Sequence, residues 1–433
     1  MSRRAFVGGS MTILAGLGFP GGRRAHGRKS VPDTEPLRIK EYRTLGRTGF
    51  KCSDIGFGSS GVTDPAFIGA ILDTGVNYID CSETYVRGQV ERAIGDAVRI
   101  RDRKKIFITT KLPLRQNVTK EDIIQRANKC LERIQSDYID CLMIHMPATV
   151  AALKNEAYHA AIRDLKTEGK VRFCGLSNHG SQWGEVPETM EKVHLAAAED
   201  GRFDVALLVY NFIQHDMGEK ILKAYKEKKV GATLMKTNPV LNYLERKVEI
   251  DKAEEEGRDV NPGMRALVER LKARADQAEA FRNEFNLKTF DNVRDAAIKF
   301  VLNNPDVNSV CPTILNHGDL EAYVSLSGKK FDLEARSTLS AYKAVYGDLY
   351  CRHACGICEP ECPHGVPVNT IMRYNHYFLG QGKEKAAMGD YAALPTQNAE
   401  ACAGCHGHCQ QACPYGVPIQ GLLMMAHRTL TLV

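Results

Sequence analysis

Eight short runs of β-branched and apolar residues alternate with amphipathic helical stretches between residue 42 and about residue 345, and this alternation constrains the fold most. The runs are residues 52–58, 77–81, 106–112, 138–145, 171–177, 205–210, 230–235 and 308–312. Eight strand–helix units in about 300 residues are typical of a (β/α)8 barrel. A doubly wound sheet is the main alternative, but no Gly-x-Gly-x-x-Gly turn follows the first run. The sequence therefore predicts an α/β fold of the TIM-barrel type.

One spacing departs from this repeat. About 70 residues separate the seventh run from the eighth, against about 30 elsewhere. The excess, residues 243–290, is heavily charged and carries apolar residues at helical spacing. We expect one or two amphipathic helices there, inserted near the mouth of the barrel as a lid or a partner surface.

Ionisable side chains stand where the predicted strands end. Asp80 ends the second strand and Tyr85 lies in the loop after it. Lys111 and His145 end the third and fourth strands. Each alone has a structural explanation, such as an ion pair or a hydrogen-bonded core histidine. Because a barrel of this type builds its site at the carboxyl ends of the strands, the four together predict a catalytic group at one mouth.

Five segments resemble a known family. They are residues 42–49 (YRTLGRTG), 75–85 (GVNYIDCSETY), Lys111, 145–147 (HMP) and 175–178 (GLSN). In this order and context they resemble the aldo-keto reductases, over about residues 42–345. The resemblance implies reduction of an aldehyde or ketone, or oxidation of an alcohol, with NADPH as the cofactor.

The chemistry of this reaction agrees with the four ionisable residues. Carbonyl reduction places negative charge on oxygen, so a proton donor and an oriented dipole must stand beside that atom. The resemblance implies that Tyr85 donates the proton and that His145 orients the carbonyl. A free tyrosine has a pKa of about 10, and a neighbouring buried ammonium lowers it. We therefore expect Lys111 to lower the pKa of Tyr85, with Asp80 holding Lys111 in place.

The cofactor side matches the family only in part. The resemblance implies four cofactor-binding residues, which are Ser177, Asn178, Tyr210 and Lys236. Ser177 and Asn178 fit the pair that holds the nicotinamide carboxamide. Leu207 replaces a family glutamine, Leu315 lies where a basic residue pairs with the 2′-phosphate, and Tyr323 replaces an asparagine that contacts adenine. Leucine cannot make a charge-assisted bond to phosphate, so NADPH, NADH and no soluble nicotinamide stay open.

The C-terminal 83 residues contain two similar cysteine units. Each has four cysteines and ends in Cys-Pro-x-Gly-Val-Pro, with the cysteines at Cys351, Cys355, Cys358 and Cys362, then at Cys402, Cys405, Cys409 and Cys413. Apart from one gap in each unit that is widened by a residue, the pattern resembles bacterial ferredoxins. The resemblance implies a small ferredoxin-like domain over residues 346–433 with two 4Fe–4S clusters, in which the fourth cysteine of each unit commonly ligates the other unit's cluster.

Zinc and disulfides are the alternatives to clusters. Two four-cysteine zinc sites or four disulfides would use the same number of thiols, although zinc does not require the repeated ending. A domain this small needs clusters, metal ions or disulfides to stabilise its fold. The other six cysteines lie in apolar settings, and we expect them to be packing residues: Cys52, Cys81, Cys130, Cys141, Cys174 and Cys311.

Arg3 and Arg4 precede an apolar stretch that ends near Pro20 and does not reach the ~20 residues of a bilayer span. This start resembles a twin-arginine signal. We therefore expect residues 1–30 to be a signal peptide read by the twin-arginine translocase, and residues 31–41 to be a linker. Export places the protein in the periplasm or on the outer face of the cytoplasmic membrane, where an uncleaved segment could serve as an anchor. The alternative is a cytoplasmic protein with a disordered basic start.

Composition and net charge limit the classes of partner that we expect. With 43% hydrophobic and 25% charged residues, the chain has a soluble globular composition. The net charge of +6 is spread without a long basic block, so we expect no nucleic-acid partner.

Three functions fit these features. The first is a nicotinamide-dependent oxidoreductase that reduces a small carbonyl compound, or oxidises the alcohol, and also carries clusters. The second is an exported electron-transfer oxidoreductase that uses no soluble nicotinamide and exchanges electrons with a partner protein through its clusters. The third is an exported binding or scaffold protein with a relict site.

Overall fold

The computed structural model describes residues 36–115, 117–181, 188–240, 283, 291–394 and 397–431. The predicted signal peptide (1–30), part of the predicted linker (31–35) and the predicted charged insertion (243–290, apart from Asn283) lie outside these residues. The strands are β1 Tyr42–Thr44, β2 Lys51–Ser53, β3 Phe57–Gly58, β4 Tyr78–Asp80, β5 Phe107–Leu112, β6 Ile139–His145, β7 Val171–Asn178, β8 Val205–Val209, β9 Gly231–Met235 and β10 Ser309–Val310.

Most helices alternate with these strands. They are α1 Pro65–Asp73, α2 Gln89–Val98, α3 Lys120–Ile134, α4 Val150–Leu153, α5 Glu156–Thr167, α6 Met190–Asp200, α7 Asp216–Lys228, α8 Asp291–Leu302, α9 His317–Val324, α10 Leu333–Tyr346, α11 Val368–Gln381, α12 Glu384–Ala392, α13 His408–Gln411 and α14 Ile419–Leu430. None of the described helices has both the length and the apolar character that a membrane crossing requires.

The strands β3 to β10 form one parallel sheet in sequence order. Isolated bridges from Ile55 to Val310 and from Gly58 to Thr313 join its two edges. Helices between consecutive strands provide the crossovers that parallel pairing requires. The sheet therefore curls into the predicted (β/α)8 barrel.

Continuous burial explains why most strands could be predicted. Every residue of β5, β6 and β8 is buried, because side chains fill the barrel on one face and helices cover the other. Such strands are apolar throughout rather than alternating. The second to eighth predicted runs agree with the observed strands within two residues at each end.

The first predicted strand, residues 52–58, is wrong as a single strand. Its start, β2, pairs antiparallel with β1, and only β3 joins the barrel. Asp54 separates the two, because its carboxylate accepts hydrogen bonds from the backbone N–H groups of Ile55 (2.9 Å) and Gly328 (2.8 Å). The β1–β2 hairpin places Leu45 in the barrel interior beside Tyr78 and Phe107, where strands β4 and β5 begin.

The six cysteines predicted as packing residues are all buried. Three of them, Cys52, Cys141 and Cys311, lie in the barrel interior, and Leu207 lies there with them. The prediction that these cysteines pack in the core is confirmed.

The C-terminal segment packs on the barrel helices. Its described residues from Gly347 onward form helices and turns without a strand, so the ferredoxin-like architecture stays a prediction. Ile371 of α11 and Leu422 of α14 share one hydrophobic core with Ala297 of α8 and Leu339 of α10. Residues from Leu37 onward accordingly form one compact unit.

Candidate active site

Asp80, Tyr85 and Lys111 meet at the carboxyl end of the sheet. The Nζ atom of Lys111 lies 2.8 Å from Oδ2 of Asp80 and 3.5 Å from the hydroxyl oxygen of Tyr85. It also donates to the carbonyl oxygen of Cys81. The side chains of Lys111 and Asp80 are 1% and 6% exposed, so this ion pair is removed from water. Asp80 raises the pKa of Lys111 despite burial, which keeps the ammonium charged.

The pKa of Tyr85 differs from the sequence-based expectation. Burial has the largest effect and raises this pKa, while the charge of Lys111 lowers it. The net result is a pKa of about 12, so the expected net decrease is wrong although the effect of Lys111 has the expected sign. At neutral pH Tyr85 therefore keeps its proton and can donate it.

His145 faces Tyr85 from the end of β6. The two ring centroids are 6.2 Å apart and the rings are nearly perpendicular. Burial, followed by the charges of Lys111 and Arg373, holds the pKa of His145 well below its usual value. The Oγ atom of Ser82 lies 3.3 Å from its Nδ1. A neutral imidazole has one donor and one acceptor nitrogen, so Ser82 orients a ring that can still polarise a carbonyl.

Ser177 and Asn178, at the end of β7, offer polar atoms to this mouth. Ser177 pairs in register with His145. Its Oγ atom and the Nδ2 atom of Asn178 are buried, and neither has a hydrogen-bond partner in the part of the chain that the structure describes. Unpaired buried polar groups are costly, and an amide group that both donates and accepts would satisfy them. These two residues therefore fit a nicotinamide carboxamide.

The other two predicted cofactor residues are placed differently. Tyr210 is buried in the helix layer, where its ring stacks on Phe300 at 5.7 Å. None of its described contacts is with Asp80, Tyr85, Lys111 or His145. Lys236, just after β9, lies at the mouth, with its Nζ 4.3 Å from the ring centroid of Tyr377. Its φ of +51° is a conformation that residues other than glycine rarely adopt.

Helix α11 covers the mouth, which the sequence did not predict. Arg373 donates hydrogen bonds to the carbonyl oxygens of Ser181 (2.8 Å) and His179 (3.4 Å). The Tyr377 hydroxyl lies 3.4 Å from Nδ1 of His179. One sequence pattern could have indicated this contact. Arg373, His376 and Tyr377 are three and four residues apart, so they form a polar face on one side of a helix.

The eight C-terminal cysteines divide into two groups. Three cysteines of the first unit and the last cysteine of the second line one cavity with about 340 Å³ of empty volume that includes open solvent: Cys351, Cys355, Cys358 and Cys413. Burial has the largest effect on the pKa of Cys402 and raises it, and the next three contributions come from Cys409, Cys362 and Cys405. Each group thus draws its fourth thiol from the other unit.

The thiols are not paired covalently. None of the fourteen cysteines forms a disulfide. Within the described ranges, no three His, Cys, Asp or Glu side chains converge closely enough to hold a single metal ion. The eight side chains are thus free thiols, the donor type that iron–sulfur clusters use.

Comparison with known proteins identifies the barrel. The model of the Aldo/keto reductase family matches residues 63–341. The aldo-keto reductase YhdN of Bacillus subtilis is 25% identical over 213 residues, which is 45% of this chain and 61% of that protein. The uncharacterized oxidoreductase YqkF of the same organism is 31% identical over 150 residues, or 31% of this chain and 48% of that protein. The chain thus spans about half to three-fifths of the length of these curated relatives.

Among solved structures, aldo-keto reductase AKR11C1 from Bacillus halodurans in its holo form is similar. It shares 20% identity and a TM-score of 0.49, and the match covers 69% of this chain and 95% of that one. The sequence match over residues 63–341 covers more than half of the chain. The chain therefore belongs to the aldo/keto reductase family.

Proposed function

We propose that this chain is an oxidoreductase that reduces a small aldehyde or ketone, or oxidises the corresponding alcohol, with a nicotinamide cofactor. The observation that carries the proposal is the contact of the Lys111 ammonium with both Asp80 and the Tyr85 hydroxyl. A buried ion pair is often no more stable than an apolar pair of similar size, so stability alone does not explain this arrangement. Acid catalysis does, because the ammonium favours the phenolate that proton donation leaves behind.

The residues of the chain supply the proton and the orientation. Tyr85, protonated at neutral pH, donates its O–H proton to the carbonyl oxygen. The ammonium of Lys111, 3.5 Å away, stabilises the phenolate that remains. His145 donates a hydrogen bond to the same oxygen. The reduced nicotinamide, when bound, supplies the hydride to the carbonyl carbon, and Ser177 and Asn178 would hold its carboxamide.

We further propose that the eight C-terminal cysteines hold two 4Fe–4S clusters. The support is their division into two groups of four, each with three thiols from one unit and one from the other, as in two-cluster ferredoxins. The donor type fits as well, since cysteine thiolates are the ligands of such clusters. When bound, the clusters would carry one electron at a time.

A second function is favoured by one feature of the cofactor side. Leu315, where the family commonly has a basic residue, is 50% exposed and offers no charge to a 2′-phosphate. In this second function the barrel binds its substrate without soluble nicotinamide and a partner protein exchanges electrons with the clusters. The loop that carries Cys351 and Cys355 is joined to the barrel, because Gln214 hydrogen-bonds both the N–H and the carbonyl group of His353.

Anaerobic titration of the full chain with NADPH and NADH tests the two functions. Saturable binding by nucleotide fluorescence, with aldehyde reduction, supports the reductase. Binding should weaken in Ser177→Ala and Asn178→Ala, and should be unchanged in Ser309→Ala, which removes another buried, unpaired hydroxyl. No binding of either nucleotide, with clusters that dithionite reduces, would instead support the partner-driven function.

The export route is also a proposal. Its support is the Arg3-Arg4 pair before the apolar stretch, together with the predicted clusters, since this route carries folded proteins. Replacing both arginines by lysine (Arg3→Lys, Arg4→Lys) should retain the protein in the cytoplasm. Unchanged distribution between cytoplasm and periplasm would contradict the proposal.

A further inference from the structure

Three cationic side chains gather between the barrel mouth and the segment around α11. Lys236 follows β9, Arg373 lies on α11, and Lys383 immediately precedes α12. Arg373 is 2% exposed, and the two lysines are half-buried. In the described part of the chain, no carboxylate oxygen lies within 4.0 Å of any of their nitrogens. This region concentrates positive charge without a negative partner.

The partners that these cations have are neutral. Arg373 donates to two backbone carbonyls, and Lys383 donates to the Ser60 hydroxyl at 3.1 Å. Lys236 lies over the ring of Tyr377. Burial, followed by repulsion from Arg373 and Lys383, holds the pKa of Lys236 well below its usual value. A buried charge without a counter-charge is costly, which is why the pKa of Lys236 falls, and a bound anion would reverse that effect.

The nearest carboxylates do not fill this role. Glu359 and Asp390 feel the charge of Arg373, but neither forms an ion pair with it. Glu359 instead accepts a hydrogen bond from the backbone N–H of Asn369. Within the described residues no carboxylate therefore pairs with these three side chains, and an anion bound beside them would favour their charged forms.

Unpaired polar atoms lie beside the same cations. The Nε atom of Arg373, the Nδ1 atom of His376 and the Nε2 atom of His353 are buried and have no hydrogen-bond partner among the described residues. The rings of His353 and His376 are 5.0 Å apart. Burial, followed by the charge of Lys236, lowers the pKa of His376. An oxyanion with several lone pairs could accept hydrogen bonds from groups of this kind and neutralise the cations at once.

The region adjoins the reacting groups. The charge of Arg373 helps to lower the pKa of His145, after burial and Lys111, and Tyr85 is among the groups that raise the pKa of Tyr377, after burial. The ring of His179, which contacts Tyr377, lies 6.2 Å from that of His145. His179 and Tyr377 thus connect the reacting groups to Lys236, and the two cations border the side of the mouth where the rest of a carbonyl substrate would lie.

We propose that Arg373 and Lys236 form an anion site that binds the carboxylate or phosphate group of a carbonyl substrate. The inference rests on the proposed reductase function and names its substrate class. It also gives the C-terminal segment a role at the active site, because α11 supplies one of the two cations. The cysteine cavity has a cation of its own, since Arg352 lines it.

Calorimetry on the anaerobically purified full chain tests the site without turnover. Succinate or inorganic phosphate should bind, and Arg373→Gln should weaken that binding at least about tenfold, the loss expected for one charged hydrogen bond. Arg428→Gln, an exposed residue of α14, is the matched control and should bind as the original chain does. Lys236→Gln, which removes no hydrogen bond of the fold, should also weaken binding.

Two results would overturn the anion site: no binding of either anion, or equal binding by the original chain and both site variants. Loss of all anion binding in the presence of saturating NADP⁺ would assign the cations to the dinucleotide and overturn the substrate assignment. Retention of succinate or phosphate binding there supports it.

Kinetics separate this inference from the proposed activity. Succinic semialdehyde and butanal have four carbons each, and only the first carries a carboxylate. In the original chain kcat/KM should be higher for succinic semialdehyde than for butanal. The ratio of the first value to the second should fall at least about tenfold in Arg373→Gln and stay unchanged in Arg428→Gln. If neither aldehyde is reduced while succinate binding still depends on Arg373, the reductase function is overturned and the anion site is supported.

Discussion

Arg373 of α11 donates a 2.8 Å hydrogen bond to the carbonyl oxygen of Ser181, and this bond joins the C-terminal segment to the loop that follows β7. Gly180 makes the contact possible. A Cβ atom at this position would lie 2.5 Å from the Nη1 atom of Arg373, and the φ of Gly180 is +125°. The chain therefore needs glycine here both for its backbone conformation and for the close approach of the guanidinium.

Gly180→Ala should displace Arg373 and weaken the join between the segment and the barrel. Gly61→Ala is the matched control, because Gly61 also has a positive φ (+93°) but has no atom within 4 Å of the added Cβ. Urea unfolding should show Gly180→Ala to be less stable than Gly61→Ala by ~1–3 kcal/mol, the cost of disturbing a buried charged hydrogen bond. Equal losses in the two variants would show that only backbone strain matters.

Tyr85→Phe should lower kcat for carbonyl reduction by about 10²- to 10⁴-fold, because it removes the proton donor. The fold should persist, since the Tyr85 hydroxyl contributes only a 3.5 Å contact to Lys111. Steady-state kinetics with one aldehyde and circular dichroism measure the two effects. Tyr42→Phe removes an exposed hydroxyl that bonds the Gly75 carbonyl and should leave kcat unchanged. Near-normal turnover by Tyr85→Phe would refute the assignment of the donor.

The ion pair of Asp80 and Lys111 should be strongly coupled. Lys111→Met alone leaves a buried carboxylate without a partner and should destabilise the fold by ~3–5 kcal/mol. The double variant Asp80→Asn, Lys111→Met should be destabilised by less than the sum of the single changes, as a double-mutant cycle in urea would show. The exposed pair of Asp102 and Lys105 should show no measurable coupling. Additive effects at Asp80 and Lys111 would contradict the buried pair.

Whether a feature of the fold or of the site could be predicted from the sequence depends on how far apart along the chain the interacting residues lie. Buried strands such as β6 are continuous apolar runs, so their ends, and with them His145, could be placed within a residue or two. The contact between Arg373 and Ser181 joins residues 192 positions apart and leaves no local pattern. The direction of the pKa shift of Tyr85 also depends on contacts that the sequence does not show. Its sign depends on how completely the folded chain buries the hydroxyl, whereas the sequence showed only the neighbouring charge.

The buried His194 should make stability depend on pH. Burial lowers its pKa to about 3, and its Nδ1 lies 2.6 Å from the Tyr225 hydroxyl. In the unfolded chain a histidine pKa is about 6.5, so below that pH the unfolded state binds a proton that the folded state does not. The free energy of unfolding therefore falls as the pH decreases, from about 6.5 down to about 3.

Between pH 7.5 and 5.5 this single group should remove ~1.4 kcal/mol of stability. His194→Gln should lose that much less over the same interval, measured by urea unfolding at the two pH values. The exposed His317→Gln should show the same pH dependence as the original chain. If the dependence is the same for all three proteins, His194 is not protected from protonation in the fold.

The grouping of cysteines predicts which substitutions act on the same cluster. Cys355 and Cys413 line one cavity although they belong to different units. Cys362 and Cys405 belong to different units as well, and both raise the pKa of Cys402. If each cluster takes its fourth thiolate from the other unit, serine at the paired positions should disturb the same paramagnetic centre.

Electron paramagnetic resonance of the dithionite-reduced chain checks this pairing. Cys413→Ser should change the signal that Cys355→Ser changes, and Cys362→Ser the signal that Cys405→Ser changes. Cys130→Ser, at a buried cysteine of α3, should leave both signals and the iron content intact. Clusters confined to one unit each would reverse the pairing, because Cys362→Ser would then act with Cys355→Ser. Zinc in place of iron, without acid-labile sulfide or a signal, would refute the clusters themselves, since thiolates bind zinc without either.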